Sequence, residues 1–280
     1  MLENSLTYKD IRKILPKRLK NSHKGNYGRI LVIGGDTGMG GAAILTSESA
    51  LMSGAGLVTL LTKEENLTPS LIRTPEVMAF STSKFENFHS YFKEIDTVVC
   101  GVGFGASDWS EEALIRTIEC CENRSLNLII DAGALRLLAN IQAKEIKLPK
   151  NLILTPHPGE AAELLKKDVD YIQSNRVNCA KMIGKKFNAH VILKGYQTII
   201  FSNRIYKSLE GGPELAIPGS GDVLAGLVSA MVSQNISIED ACRIGVAVHG
   251  KAGSNFKDEI GEIGLKSTEL IQNIRKIINL

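Results

Sequence analysis

The segment "IPGSGDVLAGLVSAMVSQ", Ile217 to Gln234, sets Gly219, Ser220 and Gly221 ahead of a single acid, Asp222. An apolar run of small residues with a helical pattern follows directly. Unhindered N–H groups at a helix start bind phosphoryl oxygens, so these three residues read as an anion turn. A carboxylate repels such an anion, and its natural partner is a hydroxyl whose proton it accepts. The chemistry implied is phosphoryl transfer, with the turn amides holding charge on the transferring group and Asp222 as base. The competing interpretation is an aspartate that caps its own helix, worth about 1 kcal/mol. A cap, however, needs no run of three small residues before it.

Four other segments carry residues suited to a ligand. "TPHPGE", Thr155 to Glu160, frames His157 between two prolines, with Glu160 in a first helical turn where the helix dipole favours an acid. His157 is either a ligand contact on a stiff platform or a packing or capping residue. "GGDTGMGGA", Gly34 to Ala42, follows a strand and opens a helix. It is an anion loop or a tight strand–helix turn, and it is neither a clean dinucleotide fingerprint nor a P-loop. "GVGFG", Gly101 to Gly105, also follows a strand. "KGYQT", Lys194 to Thr198, joins two strands; Lys194 and the Thr198 hydroxyl face a phosphate there, or the segment is a hairpin with a surface lysine.

The elements that must position these segments alternate. Short aliphatic runs at 29–35, 56–62, 96–102, 127–132, 151–156, 191–195 and 198–202 predict strands. Several are apolar throughout, as expected of strands covered on both faces. Helical patterns fall at 41–54, 109–122, 159–166 and 173–187, then at 219–234, 238–256 and 267–278. This order predicts an α/β fold: a mostly parallel central sheet with helices on both faces, in three layers. No linker or repeat interrupts it, so residues 1–280 read as one domain. In such sheets ligands bind beyond the carboxyl ends of the strands, where the glycine-rich and polar punctuation falls.

Composition narrows the function classes. The chain has 280 residues, 44% of them apolar, and a net charge of +3 with both signs interspersed. That balance does not suggest nucleic-acid binding. The five cysteines include no Cys-x-x-Cys pair, which fits structural thiols in a reduced cytoplasm. No apolar run nears the ~20 residues of a membrane span, and the first residues lack the apolar core of a signal peptide. No acidic cluster marks a dedicated metal site.

Taken together and in order, "SHKGNYGRILVIGGDTGMGGA", "ESALMSGAGLVTLLT", "GVGFG", "LIIDAGALRLL", "LTPHPGEAAELL", "VILKG", "GSGDVLAGLVSAM" and "VAVHGKAG" resemble the ribokinase-like superfamily. The resemblance is to its ADP-dependent NAD(P)H-hydrate dehydratase branch and runs from about residue 22 to the end. It implies ADP-dependent dehydration of the S-form of hydrated NADH or NADPH, giving NAD(P)H, AMP and phosphate. By resemblance, Lys194, Gly195, Tyr196, Gln197, Thr198 and Gly221 hold the adenine nucleotide. Ala42, Gly105, His157 and Asp222 line the hydrate site. The resemblance also implies Mg²⁺ arriving with ADP or ATP, a homotetramer, and a functional partnership with an epimerase whose domain a chain of this length does not contain. A small-molecule kinase of the same superfamily, such as a hydroxyethylthiazole kinase, and a catalytically impaired nucleotide-binding relative are the alternatives. Departures from the family pattern fall at Val102 and Phe104, at Gly133 in place of an acid, and at Gly212, Ile217 and Pro218 before the anion turn.

Overall fold

The computed structural model describes residues 3–82, 84–141 and 146–280. Its strands are β1 (Glu3–Leu6), β2 (Arg29–Ile33), β3 (Leu57–Thr62), β4 (Met78–Ser81), β5 (Thr97–Cys100), β6 (Asn127–Ile130), β7 (Leu152–Leu154), β8 (His190–Leu193), β9 (Ile199–Phe201) and β10 (Ile205–Ser208). They form a single sheet in the order β1-β10-β9-β8-β7-β6-β5-β2-β3-β4. Every pairing from β4 across to β8 is parallel; β9 runs antiparallel to both β8 and β10.

Alternation along each strand divides the core. Ile30, Val32, Val99, Ile129 and Ile192 enter one cluster, while Leu31, Ile33, Val98, Cys100 and Leu193 enter the other. On the first face lie α2 (Gly40–Met52), α9 (Ser220–Ser233), α10 (Ile238–Glu259) and α11 (Ser267–Ile278), with the short α1 (Tyr8–Ile11) against α10. On the second lie α4 (Asp108–Arg124), α5 (Gly133–Ile141), α6 (Pro158–Leu165), α7 (Val169–Ser174) and α8 (Arg176–Phe187). The short α3 (Leu67–Arg73) precedes β4 at the far edge. With both faces covered, a strand gains by being apolar at every position, which explains the unbroken aliphatic runs.

The small residues of α9 have a purpose within the chain. A Cβ at Gly226 would lie 2.3 Å from the Thr46 carbonyl oxygen, so glycine lets α9 press directly on α2. The Ser49 hydroxyl donates to the Val223 carbonyl at 2.7 Å, and that of Thr46 to the Asp222 carbonyl at 3.1 Å. Two helices in such contact fix the start of α9 against the sheet. Residues 223–233 are buried by this packing, so their apolar character calls for no second copy of the chain.

Strand order reverses between β5 and β2, with successive strands added outward in opposite directions. The loops leaving these strands are strapped side by side. Gly35 N–H donates to Val102 O at 2.9 Å and Asp36 N–H to Gly103 O at 2.8 Å. Asp131 N–H reaches Cys100 O at 3.1 Å, and Lys194 N–H reaches Pro156 O at 2.8 Å. The predicted segments thus meet along one edge, at the crevice where open α/β sheets bind ligands.

Candidate active site

Three acids and one lysine meet at the carboxyl ends of β6, β7 and β8. Asp131, directly after β6, is 1% exposed and ion-paired with Lys194 at 2.5 Å. The same ammonium lies 3.9 Å from a Glu160 oxygen. Asp222 stands at the head of α9, close enough to both Asp131 and Lys194 for their charges to act on it. Burial first, and the Asp131 charge second, push the Asp222 carboxyl up to about 7, against the pull of Lys194. Glu160 is also raised to about 7, chiefly by burial. Burial opposes a charged Lys194, but the Asp131 and Glu160 carboxylates more than offset it and hold the ammonium protonated. A base poised near neutral pH is what proton abstraction requires.

Gly221 sits directly on this cluster. A Cβ there would lie 3.2 Å from the Lys194 ammonium nitrogen, so glycine brings the α9 backbone up to the ion pair. Gly219 takes φ +84° as the residue before α9, and no side chain caps the helix. Of the turn amides, that of Ser220 closes a turn onto Ile217 O at 3.3 Å. Of the three expected donors, the Ser220 amide is therefore engaged within the turn itself. Gly221 and Asp222 supply the open first-turn amides, and these face the end of the helix where an anion is favoured. Pro218 lies outside the helix and its carbonyl accepts the Ser267 hydroxyl at 2.5 Å. Its missing N–H removes nothing from the first turn of α9.

Beside this turn opens a cavity of about 700 Å³. Lys194, Gly195, Tyr196, Thr198 and Gly221, which the resemblance assigns to the nucleotide, line it. Ser208, Ser220, the 210–217 loop apart from Glu214, Leu224, Val246, His249 and Gly250 complete it, and of these the sequence marks only Ser220, in the anion turn, and the departures at Gly212 and Ile217. Two expectations need correction. Lys194 is not a free phosphate ligand: it is 17% exposed and committed to Asp131 and Glu160. Gln197 does not line the cavity; it turns into a shallow depression with Glu3, Arg176 and Asn178. The Thr198 hydroxyl donates to Gly195 O at 3.0 Å, while Tyr196 stands 78% exposed.

His157 takes the capping role, one of the two the sequence left open, and keeps its ring half-exposed. Its Nδ1 accepts from Gly159 N–H at 3.0 Å and Glu160 N–H at 3.2 Å, capping α6. Glu160 closes the box by accepting His157 N–H at 2.8 Å. Because Nδ1 accepts, the ring hydrogen is on Nε2, 3.3 Å from the other Glu160 oxygen and on a half-exposed ring. Burial and then Lys194 lower its affinity for a second proton.

Ala42 and Gly105 lie across the crevice. Ala42, in the first turn of α2, borders Gly103, where a Cβ would stand 3.2 Å from its own. Gly105 rests on Asp36, whose carboxylate a Cβ would approach to 3.0 Å. Asp36 itself accepts from Thr37 N–H at 2.8 Å, the Ser110 hydroxyl at 3.0 Å and the Ser107 hydroxyl, with Lys63 at 3.5 Å. Burial raises its affinity for a proton, but these donors outweigh it and keep the carboxyl below its ordinary range. Within "GGDTGMGGA" nothing but the structure marks this residue out.

The departures at Gly133 and Phe104 belong together. A Cβ at Gly133 would fall 2.2 Å from the Phe104 carbonyl oxygen, so an acid at 133 is incompatible with this loop. Phe104 is buried edge-on against Trp109. Val102 is buried in the core, and its carbonyl holds Gly35. Ile217 lines the cavity. Among the described residues, no group of three or more His, Cys, Asp or Glu is placed to hold a metal ion, and no helix is long and apolar enough to cross a membrane.

The ten-stranded sheet with a nucleotide-sized cavity beside an uncapped helix start is a ribokinase-like fold, shared by the solved structures that superpose on it. The family model described as NAD(P)H-hydrate dehydratase matches residues 30–276, and the chain belongs to that family. The ADP-dependent (S)-NAD(P)H-hydrate dehydratase of Neisseria meningitidis is 34% identical, with 100% of this chain and 93% of that protein covered. The bifunctional NAD(P)H-hydrate repair enzyme of Coxiella burnetii is 36% identical over 98% of this chain and 55% of its own length. The chain thus spans about half the length of the bifunctional relatives. The ADP/ATP-dependent NAD(P)H-hydrate dehydratase of Bacillus subtilis, crystallised with ATP and Mg²⁺, superposes with a TM-score of 0.86 at 27% identity, covering 99% of this chain and 98% of that one.

Proposed function

We propose that the chain dehydrates the S-form of hydrated NADH or NADPH at the expense of ADP, releasing NAD(P)H, AMP and phosphate. The observation that carries this reading is Asp222: a partly buried carboxyl, pushed up to about 7 by its surroundings, at the head of an uncapped helix, in a member of this family. ADP occupies the cavity, with Lys194, Gly195, Tyr196, Thr198 and Gly221 as its walls and its β-phosphoryl group at the open amides of Gly221 and Asp222. The nicotinamide ring lies between Ala42, Gly105 and His157. Asp222 takes the proton of the C6 hydroxyl while that oxygen bonds to the β-phosphorus and the bond to AMP breaks. The ring nitrogen lone pair then expels phosphate from C6, and loss of a C5 proton restores the dihydropyridine. Phosphorylation matters because hydroxide leaves poorly and phosphate leaves well.

Lys194 serves the base rather than the nucleotide. By pairing with Asp131 it tempers the repulsion that would otherwise keep Asp222 protonated. The carboxylates here already share that lysine, so Mg²⁺ arrives on the nucleotide phosphates with water completing its shell. Assembly as a homotetramer is carried forward from the family resemblance; light scattering tests it, and a monomer mass removes it. Cytoplasmic residence is supported by five free, buried cysteines. Conversion of one substrate epimer only would make an NAD(P)H-hydrate epimerase the natural partner.

The test is an incubation of the chain with ADP, Mg²⁺ and chemically hydrated NADH. Recovery of NADH with equal AMP and phosphate supports the reading. Transfer from ATP to a small alcohol, without NADH recovery, places the chain among the small-molecule kinases instead.

A further inference from the structure

His249 of α10 reaches the anion turn from the opposite wall of the cavity. It is 8% exposed and lines the cavity together with Ser220. Its Nε2 lies 3.0 Å from the Ser220 carbonyl oxygen and 3.2 Å from the Ser220 hydroxyl oxygen. A carbonyl oxygen only accepts, so Nε2 must carry the ring hydrogen. The same N–H then also faces the hydroxyl oxygen, which can accept from it but cannot donate to it. The hydroxyl hydrogen of Ser220 is left without a use at the ring, beside the open amides of Gly221 and Asp222. The ring itself is neutral, since burial drops its pKa to about 4, so one nitrogen always carries a hydrogen and the other a lone pair in the working range.

We propose that His249 is a positioning residue for phosphoryl transfer: it fixes Ser220 so that the hydroxyl hydrogen donates to an oxygen of the phosphoryl group at the head of α9. This rests on the functional reading above and adds a third donor to the two open amides. A side-chain donor whose direction is set by a buried ring is preorganised, so it strengthens as charge develops on the transferring group. No bond to the substrate is made by His249 itself; it acts only through Ser220.

The experiment measures ADP-driven recovery of NADH by the wild type, Ser220→Ala, His249→Leu, His249→Gln and the double variant Ser220→Ala/His249→Leu. Loss of one hydrogen bond to a charged group predicts a fall in kcat of about tenfold for Ser220→Ala and for His249→Leu. The KM for ADP should stay within about twofold, because the contact is strongest in the transition state. The double variant should be no slower than the worse single one, since both remove the same donor. His249→Gln, which keeps an N–H at a similar reach, should recover most of the rate. The inference is overturned if the double variant shows the product of the two single losses, or if His249→Gln is as slow as His249→Leu while both melt like the wild type. A wild type that yields no NADH overturns instead the functional reading on which it rests.

Discussion

Two helices begin at the same edge of the sheet, and they are finished in opposite ways. The start of α6 is closed: the His157 ring accepts two first-turn amides and Glu160 accepts that of His157. The start of α9 is open: Gly219 at positive φ offers no side chain, and the first-turn amides of Gly221 and Asp222 meet the ion-pair cluster and the cavity. Both starts carry an acid three residues after the capping position, Glu160 in one and Asp222 in the other. In α6 the acid turns back onto its own backbone and becomes part of a cap. In α9 nothing on the backbone claims the carboxylate, so it is available to a ligand hydroxyl. Whether an acid near a helix start is structural or chemical is decided by what the preceding residue does with the orphan amides.

The comparison breaks most sharply at Asp222. Replacing it with Asn should cost on the order of 100-fold or more in kcat through lost base catalysis. The folded protein should not suffer, since an amide avoids burying a charge above neutral pH; a thermal melt checks this. At Gly133, restoring the family acid should do damage of a different kind. Gly133→Asp forces the new side chain against the Phe104 carbonyl and should cost about 1–3 kcal/mol as overpacking. A denaturant titration reads that loss, and a variant as stable as wild type would show the loop to be more yielding than the structure implies.

The open start of α9 is tested by closing it. Gly219→Ala puts a Cβ at positive φ, 2.6 Å from Leu45, and should lower stability by about 1–2 kcal/mol while raising the KM for ADP. The matching change in α6 should do less. His157→Ala removes a cap, worth about 1 kcal/mol of stability, and should raise the KM for the hydrated nucleotide more than it lowers kcat. Equal kinetic penalties at both helix starts would erase the distinction between them.

The sheet is legible in the sequence where strands are covered on both faces, because an unbroken aliphatic run of that length suits few places in a fold besides a strand buried on both sides. The edge strands β1 and β4 are not: β1 exposes Glu3, Asn4 and Ser5 and carries little apolar signal, while β4 is a run of only four residues whose apolar Met78 and Phe80 lie exposed. The helical pattern at 173–187 finds α8 but catches only the last two residues of α7, beyond Asn175, and it passes over α5, which opens at Gly133. Asp222 and the glycines before it are readable because their spacing is local. The partners of Lys194 are not: Asp131 is 63 positions away, and only the parallel sheet brings the ends of β6 and β8 close. For the same reason a lysine that pairs with a carboxylate reads in the sequence as a phosphate ligand. His249 carries no signal beyond its place in "VAVHGKAG", since its contact with Ser220 is made by helix packing alone.

Whether Asp222 is the base is decided by the pH dependence of ADP-driven NADH recovery, run beside the pH dependence of stability. Asp222 and Glu160 both have folded pKa values raised to about 7 from the 3.8 and 4.5 of their unconstrained forms. Between those limits the folded chain holds protons that the unfolded chain has released. Stability from this source is therefore present near pH 4 and lost as pH rises through about 7, and Asp222→Asn should flatten the loss. The rate should move the opposite way, climbing through about pH 7 as the base is freed. In Asp222→Asn this climb should disappear, leaving only a slow residual rate. The same climb, at the same pH and with undiminished rate in Asp222→Asn, would contradict the assignment of Asp222 as the base.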